Sequence, residues 1–266
     1  MTTAAETAAR SEPIGWLGRF GLAAQGVSYG LVAVLAIQLA VGEGGKTEDR
    51  GGALQTIASD GLGRVLVVVL AIGFGGYALW RFAEAVFDRG GEGREPKGLA
   101  KRAGYFGRGC IYTALCITAV SVLLGASGEK NEKQETAKVL DWPAGRWIVA
   151  AVGLGFAAAA LWNFFNGVTQ KFKDDLRTGE MSASEERLLT IVGTVGVFAR
   201  GVVFTLIGIF LVKAALEYDA EEALGLDGAL RKLAAQDHGA FLLGVVAAGL
   251  LAYGAFCVFQ ARYRRV

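Results

Sequence analysis

Six stretches of the chain run for about twenty residues with almost no charge: Phe20 to Val41, Val65 to Val86, Gly104 to Ala126, Trp147 to Val168, Gly193 to Leu216 and Ala240 to Ala261. A hydrocarbon core of ~30 Å is crossed by ~20 residues of helix, so each stretch predicts a transmembrane helix. The only charged residues inside them are Arg81, Glu84, Arg108, Arg200 and Lys213. All other charges collect in the connections, which no soluble amphipathic pattern would produce. Before Phe20 the chain carries Arg10, Glu12, Pro13 and Arg19 and has no short apolar run with a cleavage site, so the first span reads as retained.

Composition sharpens this picture. Of the 266 residues, 53% are apolar and 20% charged, and the mean hydropathy is +0.41. Both fractions depart from those of soluble domains in the direction of lipid. A net charge of +2 gives no basis for nucleic-acid binding. Lys and Arg set the orientation: the two termini and the connections on their side carry fourteen, the opposite side ten counting Lys213, several of these beside acids such as Glu217, Asp219, Glu221 and Glu222. By the positive-inside rule both termini are cytoplasmic.

The chain also repeats itself. Gly21, Gln25, Gly26 and Tyr29 recur at the same spacing as Gly104, Arg108, Gly109 and Tyr112, then as Gly196, Arg200, Gly201 and Phe204. In the following helices, Gly73-Phe74 with Trp80-Arg81-Phe82 recurs as Gly155-Phe156 with Trp162-Asn163-Phe164, and more weakly as Gly249, Tyr253 and Phe256. Outer connections echo one another too: Gly52-Ala53-Leu54 with Ile57-Ala58 matches Gly228-Ala229-Leu230 with Leu233-Ala234, read as short amphipathic turns at the outer surface.

These beats divide the chain into a cytoplasmic tail (1–18), a first hairpin (19–86), a cytoplasmic linker (87–103), a second hairpin (104–168), a second linker (169–192), a third hairpin (193–261) and a cytoplasmic tail (262–266). Repeats with an even number of spans enter the membrane in one direction. The fold class is therefore all-α membrane, with six transmembrane helices as three tandem hairpins, pseudo-threefold about the membrane normal. This pattern, clearest in Ala103-Gly104-Tyr105 with Arg108-Gly109 and Tyr112, resembles the bacterial integral membrane family catalogued as domain of unknown function 1206. The resemblance covers roughly residues 15 to 263 and implies a bacterial plasma (inner) membrane location, with no activity attached.

Candidate chemistry lies in a polar layer. Aligned positions give Gln25, Arg108 and Arg200 on the first helices and Glu84, Asn166 and Gln260 on the second, with Arg81 and Asn163 one turn earlier. All fall in the cytoplasmic third of the spans, and ionisable residues there are costly. One reading has these side chains snorkelling or joining hairpins by hydrogen bonds; the other is an anion or lipid-headgroup site. Glu84, the only acid in the layer, is expected to pair with an arginine, Arg108 foremost. Gly26, Gly73, Gly76, Gly109, Gly155, Gly201 and Gly249 are expected to let helices approach closely. Trp142, Pro143 and Trp147 predict an outer interfacial belt, with Trp16 near the inner one.

Nothing in the sequence has the form of an enzyme. His238 is the only histidine, and Cys110, Cys116 and Cys257 lie inside spans with neither metal-ligand nor disulfide spacing. No nucleophile triad, P-loop or dinucleotide turn occurs. The reading is a non-catalytic structural or accessory component of the plasma membrane, without metal or cofactor, whose partners are membrane lipids and other membrane-protein subunits; the alternative is a small channel or transporter. A reporter active only outside the cytoplasm is predicted to be silent when fused after Val266 and active when inserted near Glu222. The reverse pattern would invert the topology.

Overall fold

The computed structural model describes residues 12–41, 61–88, 91–125, 132–219 and 223–264. They form eight helices joined by turns, with no extended strand among the described residues. The helices are α1 (Glu12–Ala40), α2 (Gly61–Phe87), α3 (Pro96–Leu123), α4 (Glu132–Leu140), α5 (Gly145–Thr169), α6 (Ala183–Glu217), α7 (Leu226–Ala234) and α8 (Gly239–Tyr263). Six of them, α1, α2, α3, α5, α6 and α8, are long and apolar enough to cross a bilayer. They are the six spans expected from the sequence.

Helices α3 and α6 begin earlier than hydropathy suggests, at Pro96 and Ala183 rather than Gly104 and Gly193. Pro96 occupies the first turn of α3, where its fixed φ suits a helix start and its missing N–H costs nothing. Ser182 opens α6 with a capping box, accepting from the Glu185 amide while the Glu185 carboxylate accepts from the Ser182 amide. Much of each expected cytoplasmic linker is thus helix.

The described chain clusters into two compact units, and the division passes within α1 and α8 as well as between α3 and α5. One unit comprises Met1–Ser28, Leu54–Ser127 and Cys257–Val266, the other Tyr29–Ala53 and Gly128–Phe256. Helices α3 and α5, the two helices of repeat two, belong to different units.

In the first unit α2 lies along both α1 and α3. A Cβ on Gly21 would strike Tyr77, one on Gly18 would strike the Trp80 ring, and one on Gly73 would strike the Ala24 methyl. The α2–α3 seam places the Phe82 ring 2.7 Å from where a Gly109 Cβ would stand, and the Cys116 thiol donates to the Ala71 carbonyl at 3.3 Å. Gly76 packs on Leu17. In the second unit the same contacts recur in register. Gly196 meets Tyr253, Gly193 meets Phe256 and Phe172, and Gly249 meets Ala199 across α6 and α8, while Gly201 meets Phe164 across α5 and α6. Lipid tails are as apolar as side chains, so these helices gain by close backbone approach and dispersion rather than by hiding from water. Glycine is needed at these positions because any side chain would hold the helices apart.

The glycines of repeat two differ. Gly104 and Gly155 are exposed, and a Cβ at either meets nothing within 4 Å. Of the two connections that echo one another, Gly52-Ala53-Leu54 lies outside the described residues, whereas its echo is α7, with Ala229 and Leu230 buried against the protein. Tyr218 fastens α4 by donating to the Leu140 carbonyl at 2.8 Å. Trp142, Trp147 and Trp16 are exposed, as interfacial anchors require.

This packing predicts a graded glycine series in detergent unfolding. Gly21→Ala and Gly196→Ala should each cost ~1–3 kcal/mol, since a methyl there meets a fixed neighbour. Gly104→Ala and Gly155→Ala should be neutral or stabilise by up to ~1 kcal/mol through helix propensity. Equal effects at all four sites would refute the assignment of seams.

Candidate functional site

The repeat places a tyrosine at the same point on α2 and α8, Tyr77 and Tyr253, each over the glycine of its hairpin partner. Each tyrosine hydroxyl accepts from a guanidinium at 2.6 Å: Arg81 Nη2 reaches Tyr77 and Arg200 Nη1 reaches Tyr253. The two arginines come from different places. Arg81 stands one turn along α2 from its tyrosine, where the third repeat has Cys257; Arg200 comes from α6, where the first repeat has Gln25. One guanidinium is supplied per hairpin, from the second helix in repeat one and from the first in repeat three.

Around Arg81 the surroundings are nearly closed, with 1% of the residue exposed. Its Nη1 lies 2.6 Å from Glu84 Oε2, and its guanidinium carbon lies 4.4 Å from the Trp80 ring centre, 4.9 Å from Tyr77 and 5.3 Å from Tyr105. Arg264, on the far end of α8, lies over the same Trp80 ring at 4.9 Å. Glu84 neutralises the charge that burial makes costly, and the aromatic faces add quadrupole attraction in a site that excludes water. Arg200 has a matching aromatic shell, with Phe204 at 4.6 Å, Tyr253 at 5.0 Å and Tyr29 at 5.9 Å.

The tyrosines also carry the rings of the next repeat. Tyr77 tilts on Tyr112 of α3 at 4.4 Å, and Tyr253 meets Tyr29 of α1 edge-on at 4.7 Å. Phe74 on Tyr112 at 5.8 Å corresponds to Phe156 on Phe204 at 5.3 Å. Repeat two has Ala159 at the tyrosine position and so has no hydroxyl to offer an arginine.

The polar residues expected to form one layer therefore divide among hairpins. Arg81 and Glu84 are the pair the structure brings together, on one helix, and Arg200 is bound to Tyr253. Asn163 is buried and donates to the Ala159 carbonyl of its own helix at 2.7 Å. Gln25 is buried in the first unit, where Gln260 is half-buried and its main-chain carbonyl accepts from the Arg264 main-chain amide at 2.9 Å. Asn166 is half-buried in the second unit. Arg108 lies on an exposed face of α3.

A second polar group closes the linker before α3. Asp88, in left-handed conformation with φ of 49°, accepts from the Glu92 and Gly93 amides at 2.8 and 2.9 Å. Arg102 caps the end of α2, donating to the Ala85 and Val86 carbonyls at 2.8 and 3.0 Å. Glu92 accepts from Lys101 Nζ at 2.6 Å and from the Tyr105 hydroxyl at 2.8 Å. Partial burial alone would raise the Glu92 carboxyl, but these two hydrogen bonds and the ammonium charge outweigh it and hold the group below the usual glutamate range.

Sequence reasoning found the arginines but missed the tyrosine hydroxyls that hold them. The signal was available in the paired exchange: where Gln25 replaces arginine on the first helix, Arg81 provides it on the second, and where Cys257 replaces Arg81, Arg200 is present.

Six apolar spans and three in-register hairpin repeats define a multi-pass membrane protein. The model of the Domain of Unknown Function family DUF1206 matches in three segments, residues 20–88, 103–170 and 195–264. The chain belongs to this family. It is 34% identical over 250 residues to the uncharacterized protein YxxB of Bacillus subtilis (strain 168), covering 94% of this chain and 90% of that protein. No solved structure matches.

The arginine exchange predicts a transplant. Arg81→Cys alone should cost ~3–5 kcal/mol in detergent unfolding, because Glu84 is left buried without its cation. Adding Gln25→Arg, which copies the third repeat into the first, should recover about half of that loss or more. If the double variant is as unstable as Arg81→Cys, the two positions are not equivalent.

Proposed function

We propose that the protein is a non-catalytic structural or accessory component of the bacterial plasma membrane, with both termini cytoplasmic and other membrane-protein subunits as its partners. The observation that carries this reading is the lateral use of the intramembrane cations. Arg81 is tied to Tyr77 and Glu84, and Arg200 to Tyr253, each inside its own hairpin. A transport site needs polar groups that can bind a solute and release it. Guanidiniums packed against aromatic rings and committed to fixed hydroxyls serve the hairpin instead.

The proposal is tested by two measurements on one preparation. Purified protein in liposomes should pass chloride and phosphate no faster than empty liposomes. Mild solubilisation of native membranes after crosslinking should retain the protein with membrane subunits in fixed ratio. Anion flux abolished by Arg200→Gln, from protein that purifies alone, would replace this reading with that of a channel or transporter.

A further inference from the structure

Helix α6 is the longest of the described helices, at 35 residues, and its exposed residues fall on one line. Leu188, Ile191, Val195, Phe198 and Val202 follow one another at alternating steps of three and four, and Ile209 and Leu216 continue the line at steps of seven. Between Leu189 and Leu216 no other residue of α6 is exposed. The places the longer steps pass over hold Thr205 and Val212, both half-buried. The line is an apolar seam sustained over about four heptads. Helix α5 meets α6 through Gly201 and Gly208, and α8 meets it through Gly196 and Ala199. At ~100° per residue those contacts lie to either side of the line, which neither neighbour covers.

Lipid does not account for the whole seam. Near its amino-terminal end Glu186 pairs with Lys173 at 3.4 Å, and near its other end Lys213 pairs with Glu217 at 3.7 Å, all four side chains being partly exposed. Such ion pairs belong to the headgroup layer or to water. From Glu186 to Lys213 the helix rises ~40 Å, about 10 Å more than the hydrocarbon core. Leu188 stands half a turn from Glu186 and beside the exposed Arg187, yet is 50% exposed. One end of the apolar line therefore emerges from the hydrocarbon. On the opposite face the protein covers this level itself, with Leu189 buried and Phe172 of the linker against Gly193. Apolar surface left open among headgroups and water gains by being covered as well.

We propose that the line is a dimer seam, in which α6 packs against α6 of a second copy of this chain, parallel and with the left-handed crossing that a heptad spacing selects. A partner covering Leu188 must emerge from the hydrocarbon on the same side, as far, and with apolar residues at the same heights. A second copy meets all three conditions by symmetry. A twofold axis along the membrane normal sets Leu188 level with Leu188 and Val195 level with Val195. The seam holds for either orientation of the termini.

The test counts subunits of the full chain, fused at its carboxyl end to a fluorescent protein, by single-molecule photobleaching in phosphatidylcholine liposomes of falling protein content. Two bleaching steps are expected to persist at dilutions where random co-occupancy gives one. Leu188→Lys should raise the dissociation constant about tenfold or more by placing a charge in the seam, whereas a lysine facing only headgroups would be harmless. Val202→Trp, which keeps the surface apolar but overfills the seam, should do the same. Leu154→Trp, on an exposed face of α5, should change nothing, and thermal unfolding of each variant checks that the fold is kept. Single steps from the unchanged chain at every dilution, or a dimer indifferent to Leu188→Lys or to Val202→Trp, would overturn the proposal. So would a single copy bound to a different subunit through a contact that Leu188→Lys abolishes, because the face would then belong to another protein.

Discussion

A guanidinium carried to membrane depth cannot find water, so the protein around it must supply both hydrogen bonds and charge balance. In this protein the hydrogen-bonding part of that requirement falls on two tyrosines at one repeat position, and Glu84 balances the charge of Arg81. Tyr77 and Tyr253 each accept from an arginine at 2.6 Å while resting on a glycine of the facing helix. The hydroxyl, the close glycine contact and the ring set against a tyrosine of another repeat meet in a single side chain. Disturbing any one of the three shifts the other two, which is why so much of each hairpin's geometry depends on this residue.

The second repeat lacks this residue and differs accordingly. Ala159 offers neither hydroxyl nor ring, and Gly104 and Gly155 remain uncovered. Arg108, whose hairpin has no tyrosine at that position, stands on an exposed face of α3.

The spans and the repeats were legible in the sequence, because length without charge and fixed glycine spacing survive any tertiary arrangement. Helix starts were less legible, since Pro96 and the Ser182 capping box extend α3 and α6 through polar residues that hydropathy assigns to linkers. The pairing of polar residues was only partly legible. Alignment by column grouped Gln25 with Arg108 and Arg200, and expected Glu84 to look across to Arg108; the geometry gives Glu84 the arginine on its own helix, at a spacing of three. Columns record ancestry, whereas a guanidinium can reach one hydroxyl from either of two helices. Glycine fared similarly: Gly73 and Gly249 lie in seams and Gly155 does not, and what distinguishes them is the partner helix rather than the motif.

The central claim, that a guanidinium bound to the repeat tyrosine locks the hairpin, is tested most directly by a double-mutant cycle on the third repeat. Unfolding free energies of Arg200→Gln, Tyr253→Phe and the double variant in one detergent give the coupling energy. A hydrogen bond to a charged group at this depth predicts a coupling of ~1.5–3 kcal/mol. Additivity within ~0.5 kcal/mol would contradict the account.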